Sequence, residues 1–281
     1  MQSSQADNRV PFDLAQLEGL APSWAGRIHF VPSLGSTNEA ARQQLRQSLP
    51  TAPALWLTDQ QLAGRGRLGR SWQAPAYSSL LFTLAFRLEL SLNQAFLYGA
   101  ALSLAIQAAV QALANLKLDL KWPNDLLRDG RKVAGILAEV ENGVGVRHTQ
   151  TWLALGCGLN VNVSEAEFAA AALQTKATSL FTPDQKEASR EELLAAILNQ
   201  WQIYQARLHT APAAIREEWN NRLITVGKWV EIWLNNQVEA AGTAIGLDDD
   251  GALIISQANG IQRSFAAGDV SVRLPDGRYS A

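Results

Sequence analysis

The sequence is poor in the residues on which several classes of protein depend. Cys157 is the only cysteine, which excludes an internal disulfide and a zinc site built from several cysteines. Charged residues make up 18% of the 281 residues and leave a formal net charge of −2, so the chain has no overall positive field for nucleic acid. Residues 1–7 lack the basic and apolar stretches of a signal peptide. These absences predict a globular cytoplasmic protein.

A further absence is that of any charged residue between positions 90 and 116. A stretch of this length could cross a membrane. Polar side chains recur at every fourth residue, however, and such a stripe favours a mostly buried helix in a protein without a membrane span. The expected polar stripe is Ser103, Gln107, Gln111 and Asn115, and the expected core face is Leu102, Ile106, Val110 and Leu113.

Arginine and glycine, in contrast, are concentrated in one short segment. Residues 64–72, called the arginine loop below, hold three arginines and three glycines in nine positions. Glycine lets backbone N–H groups come close to a ligand, and arginine offers a planar charged fork for carboxylate or phosphate oxygens. The composition fits an anion clamp, but an RNA-binding segment and a plain solvated turn have the same composition.

The start of a predicted helix at residues 36–38 is a second candidate site. Ser36 and Glu39 have the spacing of a capping box, which alone explains a helix N-terminus. The alternative is that the free N–H groups of the first turn, with the side chains of Thr37 and Asn38, bind the polar head of a ligand.

Two later segments also carry signals of a site. Lys121 ends an alternating strand and is followed at once by a Trp-Pro-Asn-Asp turn. Gly156 and Gly158 interrupt the apolar strand 153–163, and glycines inside a strand indicate the close approach of a ligand or of another backbone. Cys157 between them is interpreted as a small packed hydrophobe and not as a nucleophile.

The length predicts one large and one small domain. Residues 1–25 are expected to form a docking helix or a loose tail, residues 26–222 an α+β domain, and residues 223–281 a small β-barrel that docks on the larger domain. Tight turns are predicted at Asp129-Gly130, Asp250-Gly251, Asn259-Gly260 and Ala267-Gly268.

Four motifs, in their order along the chain, resemble those of the biotin protein ligases: residues 36–38, residues 61–72, residues 121–125 and residues 156–160. The resemblance covers residues 27–275. It implies the class II synthetase-like catalytic domain of biotin and lipoate ligases, with a mixed sheet and flanking helices, followed by a small SH3-like β-barrel. It also implies a reaction in which biotin and ATP with Mg²⁺ give biotinyl-5′-AMP, from which a lysine of a biotin carboxyl carrier protein takes the biotinyl group. No prosthetic group and no fixed protein metal site are expected.

The resemblance also implies roles for individual residues. Lys121 and Arg67 are the expected catalytic cations, with Lys121 on the carboxylate and acyl-phosphate oxygens and not acting as a covalent nucleophile. The expected biotin contacts are Ser36, Thr37, Asn38, Gln61, Arg65, Gly66, Arg67, Lys121, Gly156 and Gly158. The expected contacts to ATP or to the adenylate are Arg65, Arg67, Arg70, Trp72, Lys121 and Asn160, with Trp72 beneath the nucleotide and Asn160 facing the adenine.

The chain departs from the family pattern in two places. Members that also act as repressors carry an N-terminal winged helix-turn-helix, for which residues 1–25 are too short, so no DNA binding is expected. Ser79-Leu80-Leu81 stands where many relatives read Asn-Leu-Tyr, so an aromatic ligand contact is expected to be missing or supplied from elsewhere. The sequence also allows a homodimer.

Two other interpretations compete with a biotin ligase. Lipoate ligases share the catalytic fold, but they lack the combination of the arginine loop with Lys-Trp-Pro-Asn-Asp. A non-catalytic RNA-binding module fits the arginine loop alone and leaves Lys121 and the two strand glycines without a role.

Overall fold

The structure, a computed structural model, describes residues 9–47, 53–142, 151–181, 188–267 and 270–274. Its helices are α1 (Leu14–Leu20), α2 (Thr37–Gln47), α3 (Phe96–Ala114), α4 (Glu165–Ala170), α5 (Arg190–Thr210) and α6 (Pro212–Arg222). Its strands are β1 (Ile28–Phe30), β2 (Ser33–Leu34), β3 (Ala54–Thr58), β4 (Gln60–Gln61), β5 (Ser79–Arg87), β6 (Asp119–Lys121), β7 (Asp125–Arg128), β8 (Arg131–Asn142), β9 (Thr151–Asn160), β10 (Trp229–Leu234), β11 (Gln237–Leu247), β12 (Leu253–Ser256), β13 (Gln262–Phe265) and β14 (Ser271–Arg273).

A mixed sheet of seven strands forms the centre of the larger part, in the order β1-β3-β5-β9-β8-β7-β6. The β1–β3 pair is parallel, and the other neighbours are antiparallel. β5 is buried at every position except Arg87, as expected of a continuous apolar run covered on both faces. Helices flank this sheet, so the α+β prediction with a mixed sheet is confirmed.

The charge-free segment forms α3, which packs against α5 and β8. By length and composition, residues Leu92–Ala114 could cross a membrane, with a mean hydropathy of 1.6, but 61% of this window is buried, as in the core helix of a globular protein. Leu113 is 54% exposed, so its predicted place in the core was wrong: it lies in the last turn of the helix, beyond the packed part. The other three predicted core residues are buried: Leu102, Ile106 and Val110.

The N-terminal segment packs against the larger core and forms the expected docking helix. α1 contacts α5, and Trp24 after it is buried. The backbone N–H of Phe12 donates to Asp59 Oδ2 at 3.2 Å, and Asp59 forms a buried ion pair of 2.8 Å with Arg190. Because Asp59 directly precedes β4, these bonds fix the strand that brings Gln61 to the cleft described below.

The C-terminal strands form a separate antiparallel sheet in the order β13-β12-β11-β10-β14, which confirms the small β domain. It docks on the larger part through Trp122, whose Nε1 donates to Gly251 O at 3.0 Å and whose backbone N donates to Thr225 Oγ1 at 3.1 Å. The turns at Asp129-Gly130, Asp250-Gly251 and Asn259-Gly260 connect strands as predicted. Gly268 of the last predicted turn lies outside the described residues.

Candidate active site

A cleft of about 950 Å³ opens where the arginine loop, the start of α2, the end of β6 and strands β8 and β9 meet. Residues 271–273 of the small domain lie at its rim. Eight of its lining side chains are cationic and two are acidic: Arg65, Arg67, Arg70, Lys121, Arg131, Lys132, Lys176 and Arg273 against Asp125 and Asp129. This excess of positive charge suits an anionic ligand.

Almost every site residue predicted from the sequence lines this cleft. The residues brought together are Ser36, Thr37, Asn38, Gln61, Arg65, Gly66, Arg67, Arg70, Trp72, Lys121, Gly156 and Gly158. Asn160 does not line it: its side chain is buried, and Nδ2 donates to Thr178 O at 3.1 Å. The expected adenine contact of Asn160 is therefore corrected to a structural bond that ties residues after α4 to the end of β9.

At one end of the cleft, called the lysine end, Lys121 is only 7% exposed. Burial lowers the pKa of its amine to about 8; Asp125 opposes this shift, and the charges of Lys132, Arg70 and Arg273 add to it. These five residues define the lysine end. A bound anion would stabilise the ammonium form, so the lysine end is built to gain from ligand charge.

The other end, called the α2 end, consists of residues 36–38 with Gln61 and Thr83. Gln61 Oε1 accepts hydrogen bonds from the backbone N and Oγ1 of Thr37, at 2.8 and 3.2 Å. The carboxylate of Glu39 forms ion pairs with arginines, among them Arg65 at 3.2 Å. In the described residues Gln61 thus takes the capping role that the sequence assigned to a Ser36–Glu39 box.

The side chain of Asn38 is held on both sides. Its Nδ2 donates to Leu137 O at 3.2 Å and to Glu139 Oε2 at 2.9 Å, and its Oδ1 accepts from Thr83 Oγ1 at 2.6 Å. A Cβ added to Gly156 would lie 2.0 Å from Asn38 Oδ1. The glycine is therefore required for the close packing of Asn38 on β9, a correction to the expectation that the bare backbone faces the ligand.

Gly158 has the same relation to Trp72. A Cβ on Gly158 would lie 2.4 Å from the indole ring, so the ring lies directly on the backbone of β9. Lys132 Nζ lies 5.6 Å from the centre of the ring and 2.5 Å from Asp125 Oδ1. Trp72 thus forms a flat apolar surface beside the lysine end. Between the glycines, Cys157 is fully packed and burial raises the pKa of its thiol, which fits the predicted packing role.

The arginine loop is a tight turn closed by its own backbone. The N–H of Trp72 donates to Gly64 O at 2.9 Å. A Cβ on Gly64 would lie 2.4 Å from Trp72 O, so this close approach requires glycine. Leu68 and Gly69 turn the chain with φ values of 56° and 71°.

Two arginines of the loop are bound by other parts of the chain. Arg65 lies 3.4 Å from Glu139 Oε1. Arg67 NH1 donates to Asn124 Oδ1 at 3.1 Å, and its NH2 donates to Val270 O at 3.1 Å. The carbonyl of Val270 belongs to the small domain, so Arg67 connects the loop with both domains.

The sequence analysis assigned no role to several residues of the site. Thr83 was the most visible of them, because it is the only polar residue in the apolar run 80–86. Asn124 and Lys132 lie in or beside motifs already recognised, whereas Glu139 carries no local signal. In the described residues, no group of three or more His, Cys, Asp or Glu side chains is placed to hold a metal ion.

Known proteins with related sequences fit this geometry. Residues 30–160 match the Biotin/lipoate A/B protein ligase family, and residues 225–273 match the Biotin protein ligase C terminal domain. A biotin–[acetyl-CoA-carboxylase] ligase of Paracoccus denitrificans is 34% identical over 236 residues, which span 77% of this chain and 91% of that protein. The chain belongs to the biotin protein ligase family.

Further members of the biotin protein ligase family agree over nearly the whole chain. The biotin–[acetyl-CoA-carboxylase] ligase of Mycobacterium tuberculosis is 29% identical over 91% of this chain and 92% of its own length. The structure of the biotin protein ligase of Aquifex aeolicus in complex with biotin and ATP has a TM-score of 0.70 and 22% identity, over 89% of this chain and 99% of that one. This structural likeness supports the fold, and the match to the C-terminal domain separates the chain from lipoate ligases.

Proposed function

We propose that the protein is an ATP-dependent ligase that activates biotin as biotinyl-5′-AMP and transfers the biotinyl group to a lysine of a biotin carboxyl carrier protein. The observation that carries the proposal is the cation-rich cleft around the buried Lys121, in a chain of the biotin protein ligase family. Because the reaction consumes ATP, we place it in the cytoplasm, and Mg²⁺ enters as part of the nucleotide substrate.

The first step brings two anions together. A carboxylate oxygen of biotin attacks the α-phosphorus of ATP, and the bond to pyrophosphate breaks. Lys121 lies where its ammonium group neutralises the carboxylate and the developing charge on phosphorus, while Arg70 and Arg273 face the phosphates. Its lowered pKa does not oppose this role, because the bound anions favour the protonated amine.

The second step transfers the biotinyl group. The neutral amine of the carrier lysine attacks the carbonyl carbon of the mixed anhydride, AMP leaves as an anion, and the new amide nitrogen loses its extra proton. The cations of the lysine end stabilise the departing AMP. Residues 36–38 and Gln61 hold the polar ring system of biotin, and the indole of Trp72 offers a surface for the nucleotide.

Exchange of labelled pyrophosphate into ATP tests this proposal. We expect exchange with purified protein, Mg²⁺ and biotin, and none when biotin is omitted or replaced by lipoate. Folded protein that shows no biotin-dependent exchange would overturn the assignment, and exchange with lipoate alone would favour a lipoate-type ligase.

A further inference from the structure

Glu139 on β8 connects the α2 end of the cleft with the arginine loop. Its Oε2 accepts the hydrogen bond from Asn38 Nδ2 at 2.9 Å. Its Oε1 lies 2.7 Å from Arg42 NH1 and 3.4 Å from Arg65 NH2. One carboxylate, only 17% exposed, therefore binds groups from α2 and from the loop at the same point.

The bond to Glu139 bears on the orientation of the Asn38 amide. The oxygen and nitrogen of an asparagine amide exchange places when the group turns over, and the hydroxyl of Thr83 is able to accept as well as to donate. A carboxylate only accepts, so Glu139 requires the NH₂ group on the β8 side and leaves the oxygen toward Thr83. Leu137 O favours the same orientation with a longer, uncharged bond of 3.2 Å.

We propose that Glu139 is a positioning residue for biotin, which fixes the amide of Asn38 in its binding orientation and ties Arg65 of the arginine loop to the same carboxylate. The inference rests on the proposed function, since it assumes that biotin binds at the α2 end. Glu139 does not act on the nucleotide end, because its contacts lie on α2 and on Arg65.

Glu141 offers a matched control. It lies two residues further along β8 and binds the same Arg42, with Arg42 Nε 2.5 Å from its Oε1. Its other ion pair in the described residues is with Arg46, 2.7 Å away, and not with Asn38 or Arg65. Replacing either glutamate removes one partner of Arg42, so a purely structural contribution would be similar at both positions.

The test compares the biotin Kd by calorimetry with the KM values for biotin and ATP in the exchange reaction. We expect Glu139→Ala to raise the Kd and KM for biotin about tenfold, as for the loss of a charge-assisted hydrogen bond, with the KM for ATP within about twofold of wild type. Glu141→Ala is expected to leave both biotin values within about twofold. Glu139→Gln keeps an acceptor oxygen for Asn38 and should restore most of the biotin affinity, but not the ion pairs of Arg42 and Arg65.

The outcomes separate the inference from the proposed function. Wild-type protein that does not bind biotin contradicts the proposed function. Wild-type protein that binds biotin, with equal biotin Kd values in Glu139→Ala and Glu141→Ala, overturns the positioning role. If Glu139→Ala does not fold, tryptic cleavage of the arginine loop gives the second measurement: Glu139→Gln should be cut faster than Glu141→Gln, because Arg65 loses a charged partner, and equal rates overturn the proposal.

Discussion

The two ends of the cleft are built differently. At the α2 end, polar side chains are bonded to one another, as in the chain from Gln61 through Thr37 to Thr83 and Asn38. Each group there has its partner within the protein, so the shape of this end is fixed before a ligand arrives. Such an end is suited to recognising an uncharged polar ring by its outline and hydrogen bonds.

The lysine end instead contains charge that the protein does not balance. Around Lys121, the cations Lys132, Arg70 and Arg273 face one acidic neighbour, Asp125, and the pKa of the lysine is lowered as a result of burial and of these charges. An end of this kind binds anions and stabilises charge in a transition state. The difference teaches that recognition and activation are separated along one cleft, and mutations at the two ends should therefore affect different kinetic constants.

The largest effect is expected at the lysine end. Lys121→Ala should lower the rate of biotin-dependent pyrophosphate exchange about a thousandfold, because a preorganised cation at the reacting atoms is lost. Lys117→Ala removes an equally charged but exposed lysine outside the cleft and should keep the rate within about twofold. A Lys121→Ala enzyme with the rate of Lys117→Ala would contradict the role given to the lysine end.

A smaller but selective effect is expected at the α2 end. Gly156→Ala would place a Cβ 2.0 Å from Asn38 Oδ1 and so displace the amide. We expect the KM for biotin to rise about 10- to 100-fold, in keeping with the cost of overpacking, and the KM for ATP to change little. Gly19→Ala on α1, where nothing lies within 4 Å of an added Cβ, is the control and should behave as wild type. A parallel rise of both KM values in Gly156→Ala would blur the division between the ends.

The sequence carried much of this layout, because strands and motif order leave local signals. The apolar run that forms β5 and the Asp129-Gly130 turn could be read directly. What could not be read was which groups fill a space: the glycines at 156 and 158 indicated a close approach, but Asn38 and Trp72, not a ligand, occupy that space. These partners are distant in sequence, and only the folded sheet brings them together.

The errors in single residues have similar causes. Asn160 lies in a recognised motif, yet its bond to Thr178 O depends on how the chain after α4 returns to β9. Glu139 is one of several charged residues on an alternating strand, and nothing in its neighbours along the chain marks its bond to Asn38. Tertiary contacts decided both roles.

The pH dependence of the reaction should report on the lysine end alone. With the pKa of Lys121 lowered to about 8, its amine loses its charge as the pH rises through that value, so kcat/KM should fall about tenfold per pH unit well above pH 8. Lys121→Arg stays charged and should lose this alkaline fall, although at a lower rate. Persistence of the fall in that variant would assign it to another group.

The same shift predicts the opposite trend for stability. Because the pKa of Lys121 is lower in the folded chain than its usual 10.5, the unfolded chain binds more protons between about pH 8 and that value. The contribution of Lys121 to the free energy of unfolding therefore rises with pH through this window. Urea unfolding of wild type against Lys121→Met checks the sign, and a contribution that falls with pH would contradict the lowered pKa.

The smallest effect is expected at the exposed rim of the lysine end. Arg70→Ala should raise the KM for ATP about threefold at low salt and less at high salt, because the side chain is exposed and its charge is screened. The KM for biotin should not change. Arg87→Ala, at the exposed end of β5 and outside the cleft, is the control, and an equal shift there would show a general charge effect.

The central claim is that both ends act together to make an adenylate, and direct detection of that product tests it most closely. Protein mixed with biotin and MgATP, without a carrier protein, should form close to one equivalent of biotinyl-5′-AMP per chain and release the same amount of pyrophosphate, as measured by mass spectrometry and a coupled assay. Folded protein that forms no biotinyl-5′-AMP, or that releases pyrophosphate to the same extent without biotin, would contradict the account.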